Sequence, residues 1–411
     1  MGETAQIMAL WRRASERGER VCLATVVHVE GSSYRKPGAR MLLTSGGERA
    51  GTVSGGCLEA EVSRKAWWLT ADGPVVKRYQ SSFDEDGGGW GLGCGGTVSV
   101  LLEQGPDTVL RALDEAGSGG QAAVVVSGIG SGARAGTLAV ARAGSPALSL
   151  DGDDLPAGLR LAVDQAFQEG RNLSLDENLA ESFADTGKGA PAYFVEYLAQ
   201  PPRLTIFGAG DDAQPIAQFA DALGWRVAVA DGRSHLLRRE RFPQAAELRL
   251  LVYRTGENGG GSAPVACGLP GVPAGPAAAG IQDLPQVDTG VQPGELGVVL
   301  THSFEQDRAL LGALLPESLL YLGVLGPRHR TLRLLEEIAP KLGWSVEGCF
   351  GRLHSPLGLD LGARDPAAIA LSIVAELQAA VAGRRVQVSR VDFAAGTTEN
   401  TKGALEWTVH G

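Results

Sequence analysis

Short apolar runs separated by glycine-rich polar segments dominate the first 200 residues. Residues 21–29 and 40–44 read as strands, and 50–53 is strand-like before a Ser-Gly-Gly turn at 54–56. Residues 57–69 change to a helical period, with Leu58, Val62, Ala66 and Leu69 on one face. Two further strands are expected to flank the glycine cluster at 87–96. A weaker copy of this pattern follows: strands at 122–127 and 137–141, a glycine-rich break between them, and an amphipathic helix over 157–170. An internal duplication would account for the repeat. Pro201 and Pro202, after a strand-like 192–198, mark a boundary, since neither proline can donate to a ladder.

Beyond residue 203 strand and helix patterns alternate, the signature of a parallel sheet. Strands are expected at 204–207, 226–230, 247–253, 296–300 and 319–324. Residues 255–293 are rich in Gly, Pro and Ala without periodicity and read as an insertion. The expected fold is α/β: an N-terminal α+β domain over 1–200, a Rossmann-like parallel sheet with helices over 201–382, and a polar tail over 383–411.

A formal net charge of -10 argues against nucleic acid or anionic lipid as partners, because both require clustered positive charge. No stretch has the length of a membrane span, and the first twenty residues lack the apolar core of a signal peptide. The five cysteines are scattered, with no C-x-x-C pair. A reducing, cytoplasmic setting is expected.

The chemistry concentrates in loops. FGAGDDA at 207–213 has the form G-x-G-x-x-A between a strand and a helix, and Asp231 ends the next strand at the spacing of a dinucleotide fingerprint. Gly208 would allow the tight turn, Gly210 the approach of a pyrophosphate, and Asp231 would accept ribose hydroxyls. Asp211 and Asp212 repel phosphate at that helix start, so binding of NAD(P) is expected to be weak. Later loops carry His302, Arg328 and His354, and the first two are expected to meet Gly208 in one crevice. Ser303 with Gln306, and Asp365 with Pro366, read as helix caps. In the first domain the glycine-bounded loop at 31–40 carries Arg35, Lys36 and Arg40, suited to an anionic group. Ser54, Gly55 and Gly56 place the Cys57 thiol near a helix start, and Gly93, Cys94 and Gly95 surround a second thiol with minimal bulk.

In this order the segments GSSYRKPGARMLL, GTVSGGCLEAEV, GLGCGGTVSVLLE, IFGAGDDA, ADGRSH, THSFEQD, LGVLGPRHR and RLHSPLGLDLGARDPAAIALSIVAEL resemble the XdhC/CoxI family. The resemblance implies an accessory protein, a cofactor chaperone more than a catalyst, that binds molybdenum cofactor and assists its sulfuration and insertion. The client would be a molybdenum hydroxylase of the xanthine dehydrogenase or CO dehydrogenase type, and the sulfur donor a cysteine desulfurase. The resemblance also draws Arg233, in ADGRSH, into the binding set and makes Cys57 and Cys94 candidate ligands of the molybdenum. It leaves a homodimer open. Phe304 departs from a family histidine, and Asp211-Asp212 from the family's His-Val. The competing readings are an NAD(P)-dependent oxidoreductase, carried by the fingerprint, and a docking scaffold without cofactor.

Overall fold

A computed structural model describes every residue except 57, 81–95, 131–133, 145–154, 176–191, 255–285 and 385–411. Cys57, Gly93, Cys94 and Gly95 therefore lie outside the described residues, as does most of the tail.

The chain begins with α1 (Glu3–Glu16), β1 (Val21–Glu30), β2 (Arg40–Thr44), β3 (Arg49–Gly51), α2 (Glu59–Leu69), β4 (Val75–Gln80) and β5 (Thr97–Gln104). The five strands form an antiparallel sheet in the order β3-β2-β1-β5-β4. Strand β1 is central, so the period of two sends its side chains into two cores. Leu23 packs with α1, whereas Cys22, Ala24 and Val26 pack with Val62 and Ala66 of α2.

Among the described residues the same sequence of elements then recurs with no counterpart of β3: α3 (Asp107–Gly117), β6 (Ala123–Gly128), β7 (Gly136–Arg142), α4 (Ala157–Glu169), β8 (Leu173–Leu175) and β9 (Tyr193–Leu198). Its sheet order, β7-β6-β9-β8, matches β2-β1-β5-β4. The two sheets share one core, where Leu23 and Leu42 meet α1, α3, Ala123 and Val125. Buried Arg40 crosses between the sheets to Glu196, with Nη1 2.8 Å from Oε1, and Thr137 donates from N and Oγ1 to buried Glu103 at 2.6 and 3.0 Å. The register makes these links reciprocal. Arg40 faces Thr25 as Thr137 faces Ser127, and Glu103 faces Leu23 as Glu196 faces Val125.

The remainder is a parallel sheet in the order β12-β11-β10-β15-β16: β10 (Arg203–Phe207), β11 (Arg226–Asp231), β12 (Glu247–Leu250), β15 (Leu296–Val299) and β16 (Tyr321–Val324). Helices α5 (Ala213–Ala222) and α9 (Pro366–Val381) cover one face, burying Leu204, Ile206, Val227 and Val298. Helices α6 (Phe304–Leu314), α7 (Arg328–Leu342) and α8 (Val346–Phe350) cover the other, over Phe207, Ala230 and Val299. With both faces covered, the strands read as near-continuous apolar runs. The fold is α/β, with a Rossmann-type sheet following antiparallel α+β layers. Both expected caps form: Ser303 accepts from Gln306 N, and Asp365 accepts from the N–H groups of Ala367 and Ala368.

Two expectations need correcting. The strand read at 247–253 breaks after Leu250, and the chain leaves the parallel sheet to form β13 (Tyr253–Arg254), which pairs antiparallel with β14 (Gln286–Val287). Residues 286–293, read as the end of an insertion, thus belong to the fold. Val287 and Val291 pack against the core, and Arg249 reaches the carbonyl of buried Thr289.

Candidate functional site

Strand order reverses at β10, so the loops after β10 and β15 bound a crevice at the carboxyl edge, where folds of this kind place ligands. Gly208 has φ +123°, and a Cβ there would lie 2.5 Å from the Leu300 carbonyl oxygen, so glycine lets the first loop pack against the end of β15. Asp231 is buried at 1% exposure and accepts four hydrogen bonds. Its Oδ2 takes Ala209 N at 2.7 Å and Arg233 Nη2 at 2.8 Å; its Oδ1 takes Arg233 N at 2.8 Å and Nε at 3.0 Å. Burial alone would raise its pKa, but the Arg233 guanidinium and the two N–H groups more than offset it and hold the carboxyl below its ordinary value.

His302 adopts φ +61°, a conformation L-residues rarely take, and its exposed ring sets Nε2 2.9 Å from Asp212 Oδ2. A Cβ on Gly210 would lie 2.7 Å from Asp212 Oδ1, so this carboxylate covers the glycine expected to admit a pyrophosphate. Asp211 is exposed and pairs with Arg241 at 3.0 Å, and Arg241 also donates to Ala209 O. On the far side, buried Asp307 accepts from Thr301 Oγ1 at 2.6 Å and from Arg330 Nη1 at 2.6 Å. Tyr253 and Gln306 flank Gly232; the Tyr253 hydroxyl and Gln306 Oε1 are buried without a hydrogen-bond partner among the described residues. Burial, then the nearby charges of Asp231 and Asp307, push the Tyr253 hydroxyl well above its usual pKa and keep it protonated.

Gly208, Gly210, Asp231, Arg233 and His302 thus come together, while Arg328 and His354 are seen against other neighbours. Arg328 stacks over Phe350 of α8, 4.5 Å from the ring centre. His354 bridges Gly323 at the sheet edge, stacks on Tyr321 with ring centres 4.2 Å apart, and sets Nδ1 3.0 Å from buried Glu376. Glu376 also accepts from Gly358 N at 2.7 Å, so this histidine locks α9 to β16. The expected role of Asp231 is corrected as well. All four of its acceptor positions are taken, leaving none for a ribose hydroxyl.

At the first sheet, the described parts of three glycine-rich segments meet at one end. The 31–39 loop joins the end of β1 to the start of β2, residues 52–56 follow β3 at that same end, and Gly96 precedes Thr97, which pairs with Glu30. A Cβ on Gly96 would lie 2.1 Å from Ser32 O, and one on Gly55 would touch the Tyr34 ring at 3.8 Å. Buried Glu59 holds the start of the turn over 53–56, accepting from Val53 N at 3.1 Å, Ser54 N at 2.8 Å and Ser54 Oγ at 2.6 Å. Ser54 Oγ in turn accepts from Gly56 N and Leu58 N, both at 3.1 Å. Burial raises the pKa of Glu59, and these donors outweigh it to leave the carboxyl below its ordinary value.

The cationic loop is less available than its composition suggests. Arg40 points inward to Glu196, and Arg35 pairs with Glu3, which also accepts from Thr52 N at 3.0 Å. Lys36 and Tyr34 remain exposed, beside exposed Gly55 and Gly56. Cys22 and Cys349 are buried, and burial pushes the Cys22 thiol up to about 12, which removes it as a thiolate donor. Sequence reading missed Glu3, Glu59, Asp212, Arg241, Tyr253 and Gln306 as structural partners of the loops. Glu59 lies beside the Ser-Gly-Gly turn and Asp212 within the Gly208–Ala213 loop, but nothing local marks the others as neighbours of the glycine loops.

Residues 204–377 match the XdhC Rossmann domain, and residues 14–80 match the XdhC and CoxI family. A protein of Bacillus subtilis (strain 168) described as a probable subunit of xanthine dehydrogenase is 29% identical over 367 residues, covering 88% of this chain and 93% of that one. The molybdenum cofactor insertion chaperone PaoD of Escherichia coli (strain K12) is 25% identical over 364 residues, covering 88% and 83%. A crystal structure of a xanthine dehydrogenase from Bacillus halodurans superposes with TM-score 0.65 at 28% identity, covering 94% of this chain and 98% of that one. No described helix is long and apolar enough to cross a membrane. The chain belongs to the XdhC and CoxI family, and its parallel sheet is that family's Rossmann domain.

Proposed function

We propose that this protein receives molybdenum cofactor and delivers it to a molybdenum hydroxylase of the xanthine dehydrogenase or CO dehydrogenase type, acting as a carrier in the cytoplasm. The observation that carries the reading is the meeting, at one end of the first sheet, of the described parts of three glycine-rich segments, namely the 31–39 loop with exposed Tyr34 and Lys36, residues 52–56, and Gly96. The group is a flat, polar pterin with a phosphate and a metal-bound dithiolene. The residues present suit it: Lys36 offers a cation for the phosphate, Tyr34 a ring face, and Gly55, Gly56 and Gly96 backbone without bulk. When bound, the cofactor supplies the redox-active molybdenum that the client needs.

Cys57 and Cys94 fall within these segments in the sequence. They are the thiols proposed to meet the soft metal or to carry sulfur from a cysteine desulfurase. The names of the Bacillus and Escherichia relatives support the reading, the first being that of a probable xanthine dehydrogenase subunit and the second that of a molybdenum cofactor insertion chaperone.

The test is the metal and pterin content of full-length protein purified from a molybdenum-replete host. Pterin is measured as its fluorescent oxidation product. Both should be present in equal amount, and both should fall in a Cys57→Ala, Cys94→Ala double variant of unchanged melting behaviour. Parent protein free of molybdenum and pterin would end this reading.

A further inference from the structure

Glu3 lies in the first turn of α1, and each oxygen of its carboxylate is engaged by a different glycine-rich segment. Oε1 accepts from Thr52 N at 3.0 Å and from Thr52 Oγ1 at 3.1 Å, while Oε2 pairs with the Arg35 guanidinium. Arg35 stands between Tyr34 and Lys36, both exposed on the 31–39 loop, and Thr52 opens the segment that presents exposed Gly55 and Gly56. One carboxylate thus ties the strip that offers a cation and a ring to the strip that offers bare backbone. The Tyr34 ring lies 3.8 Å from where a Cβ on Gly55 would stand, so the spacing of the two strips sets the surface they make together.

Glu3 is itself held from two sides. Ile7, one turn further along α1, is buried in the core shared by the two sheets and packs on Gly51, the residue before Thr52; a Cβ on Gly51 would lie 2.8 Å from Ile7 Cδ1. On the other side Gly2 meets the Rossmann domain. A Cβ on Gly2 would lie 2.4 Å from Gly224 Cα, and Gly224, between α5 and β11, has φ +82°. Two glycines therefore let the backbones of the two domains touch one residue away from Glu3. As a stabiliser the pair counts for little, because the Arg35 and Glu3 side chains are 25% and 37% exposed and solvent screens them. Its consequence lies in where it holds the two segments.

We infer that Glu3 is a positioning residue for the bound cofactor. It keeps the 31–39 loop and residues 52–56 at the spacing that lets one ligand touch Tyr34, Lys36 and Gly55 together, and Gly2 makes that spacing depend on contact with the Rossmann domain. The inference rests on the carrier reading above for the identity of the ligand, and on the contacts of Glu3 for the geometry.

The experiment uses full-length protein carrying Glu3→Ala, Glu3→Gln or Gly2→Ala. Melting temperature, amide hydrogen exchange over 31–39 and 52–56, and the rate of release of molybdenum and pterin into buffer are measured on each. Glu3→Ala should melt close to the parent, exchange faster in both segments, and release the cofactor about tenfold faster, the factor expected for one hydrogen bond to a charged group. Glu3→Gln still accepts from Thr52 but no longer carries a charge for Arg35. It should keep slow exchange over 52–56, lose it over 31–39, and release the cofactor at an intermediate rate. Gly2→Ala should speed release in the parent and add nothing to Glu3→Ala, since both act through the same carboxylate. Unchanged exchange in either segment of Glu3→Ala, unchanged release, or additive effects of Gly2→Ala and Glu3→Ala would each overturn the inference. If Glu3→Ala does not fold, Glu3→Gln decides it by the split between the two segments. Exchange does not depend on the cargo, so the two readings fail separately. Parent protein without molybdenum and pterin ends the carrier reading while the exchange pattern still tests the tie, and laden parent protein whose release ignores Glu3 ends only this inference.

Discussion

Arg40 and Glu196 lie 156 positions apart and meet as a buried two-pronged ion pair between the two antiparallel sheets. Neither charge has water to fall back on, so removing one partner strands the other. Arg40→Ala should lower unfolding free energy by roughly 3–5 kcal/mol, whereas the Arg40→Met, Glu196→Leu double variant should recover most of that loss. Urea unfolding of the parent, the two single variants and the double variant measures it. Singles as stable as the parent would mean that the pair contributes no cohesion between the sheets.

The reciprocal link between Glu103 and Thr137 behaves differently with pH. Burial dominates at Glu103 and raises its pKa above the ordinary value, although Thr137 and the charge of Arg40 pull it down. A carboxyl with a raised folded pKa contributes stability below its unfolded pKa and loses it as pH rises through the folded one. Glu103→Gln should therefore be at least as stable as the parent at neutral pH and lack the parent's relative gain in acid. Melting temperatures across the acid range would show this, and a neutral-pH loss in the variant would contradict it.

Most elements were legible because they express local periodicity. The alternation of β1 between two cores, the apolar runs of β10 and β15, and the caps at Ser303 and Asp365 all follow from neighbours within a few residues. The site was legible only as far as its glycines. Arg40 opens β2 at the end of a loop that looks cationic, yet its partner is on β9, and no local pattern announces a contact of that separation. Asp231 and Arg233 are two residues apart and fully visible, but the fingerprint spacing favoured a ribose acceptor. Only the geometry shows that Arg233 folds back onto it. The partners of His354 were hidden for the same reason, since Glu376 and Tyr321 reach it from α9 and β16.

Asp231 should carry a stability contribution with the opposite pH dependence to that of Glu103. Its folded pKa is depressed, so the contribution is complete above the unfolded pKa and disappears as pH falls through the folded value. At neutral pH Asp231→Asn should cost about 1–3 kcal/mol, by weakening the Arg233 pairing and leaving an amide N–H₂ facing the Ala209 N–H. The gap between parent and variant should narrow in strong acid. Denaturant titrations at stepped pH test this, and a pH-independent gap would place the effect in packing.

The meeting of the three glycine segments can be tested by a single methyl group. A Cβ on Gly96 would stand 2.1 Å from Ser32 O and 2.8 Å from Glu30 O, both backbone atoms that no side-chain rotation can move away. Gly96→Ala must therefore push the start of β5 away from the 31–39 loop, at a cost of about 1–3 kcal/mol. Gly47 makes a useful control: its φ of +88° strains an alanine, but nothing lies within 4 Å of the added Cβ, and it sits in the β2–β3 turn at the opposite end of the sheet. Comparable destabilisation is expected for the two variants, with molybdenum and pterin retained in Gly47→Ala and lost in Gly96→Ala. Full retention in a folded Gly96→Ala protein would show that the cofactor is held elsewhere, because the close approach of Gly96 to the 31–39 loop would then be dispensable.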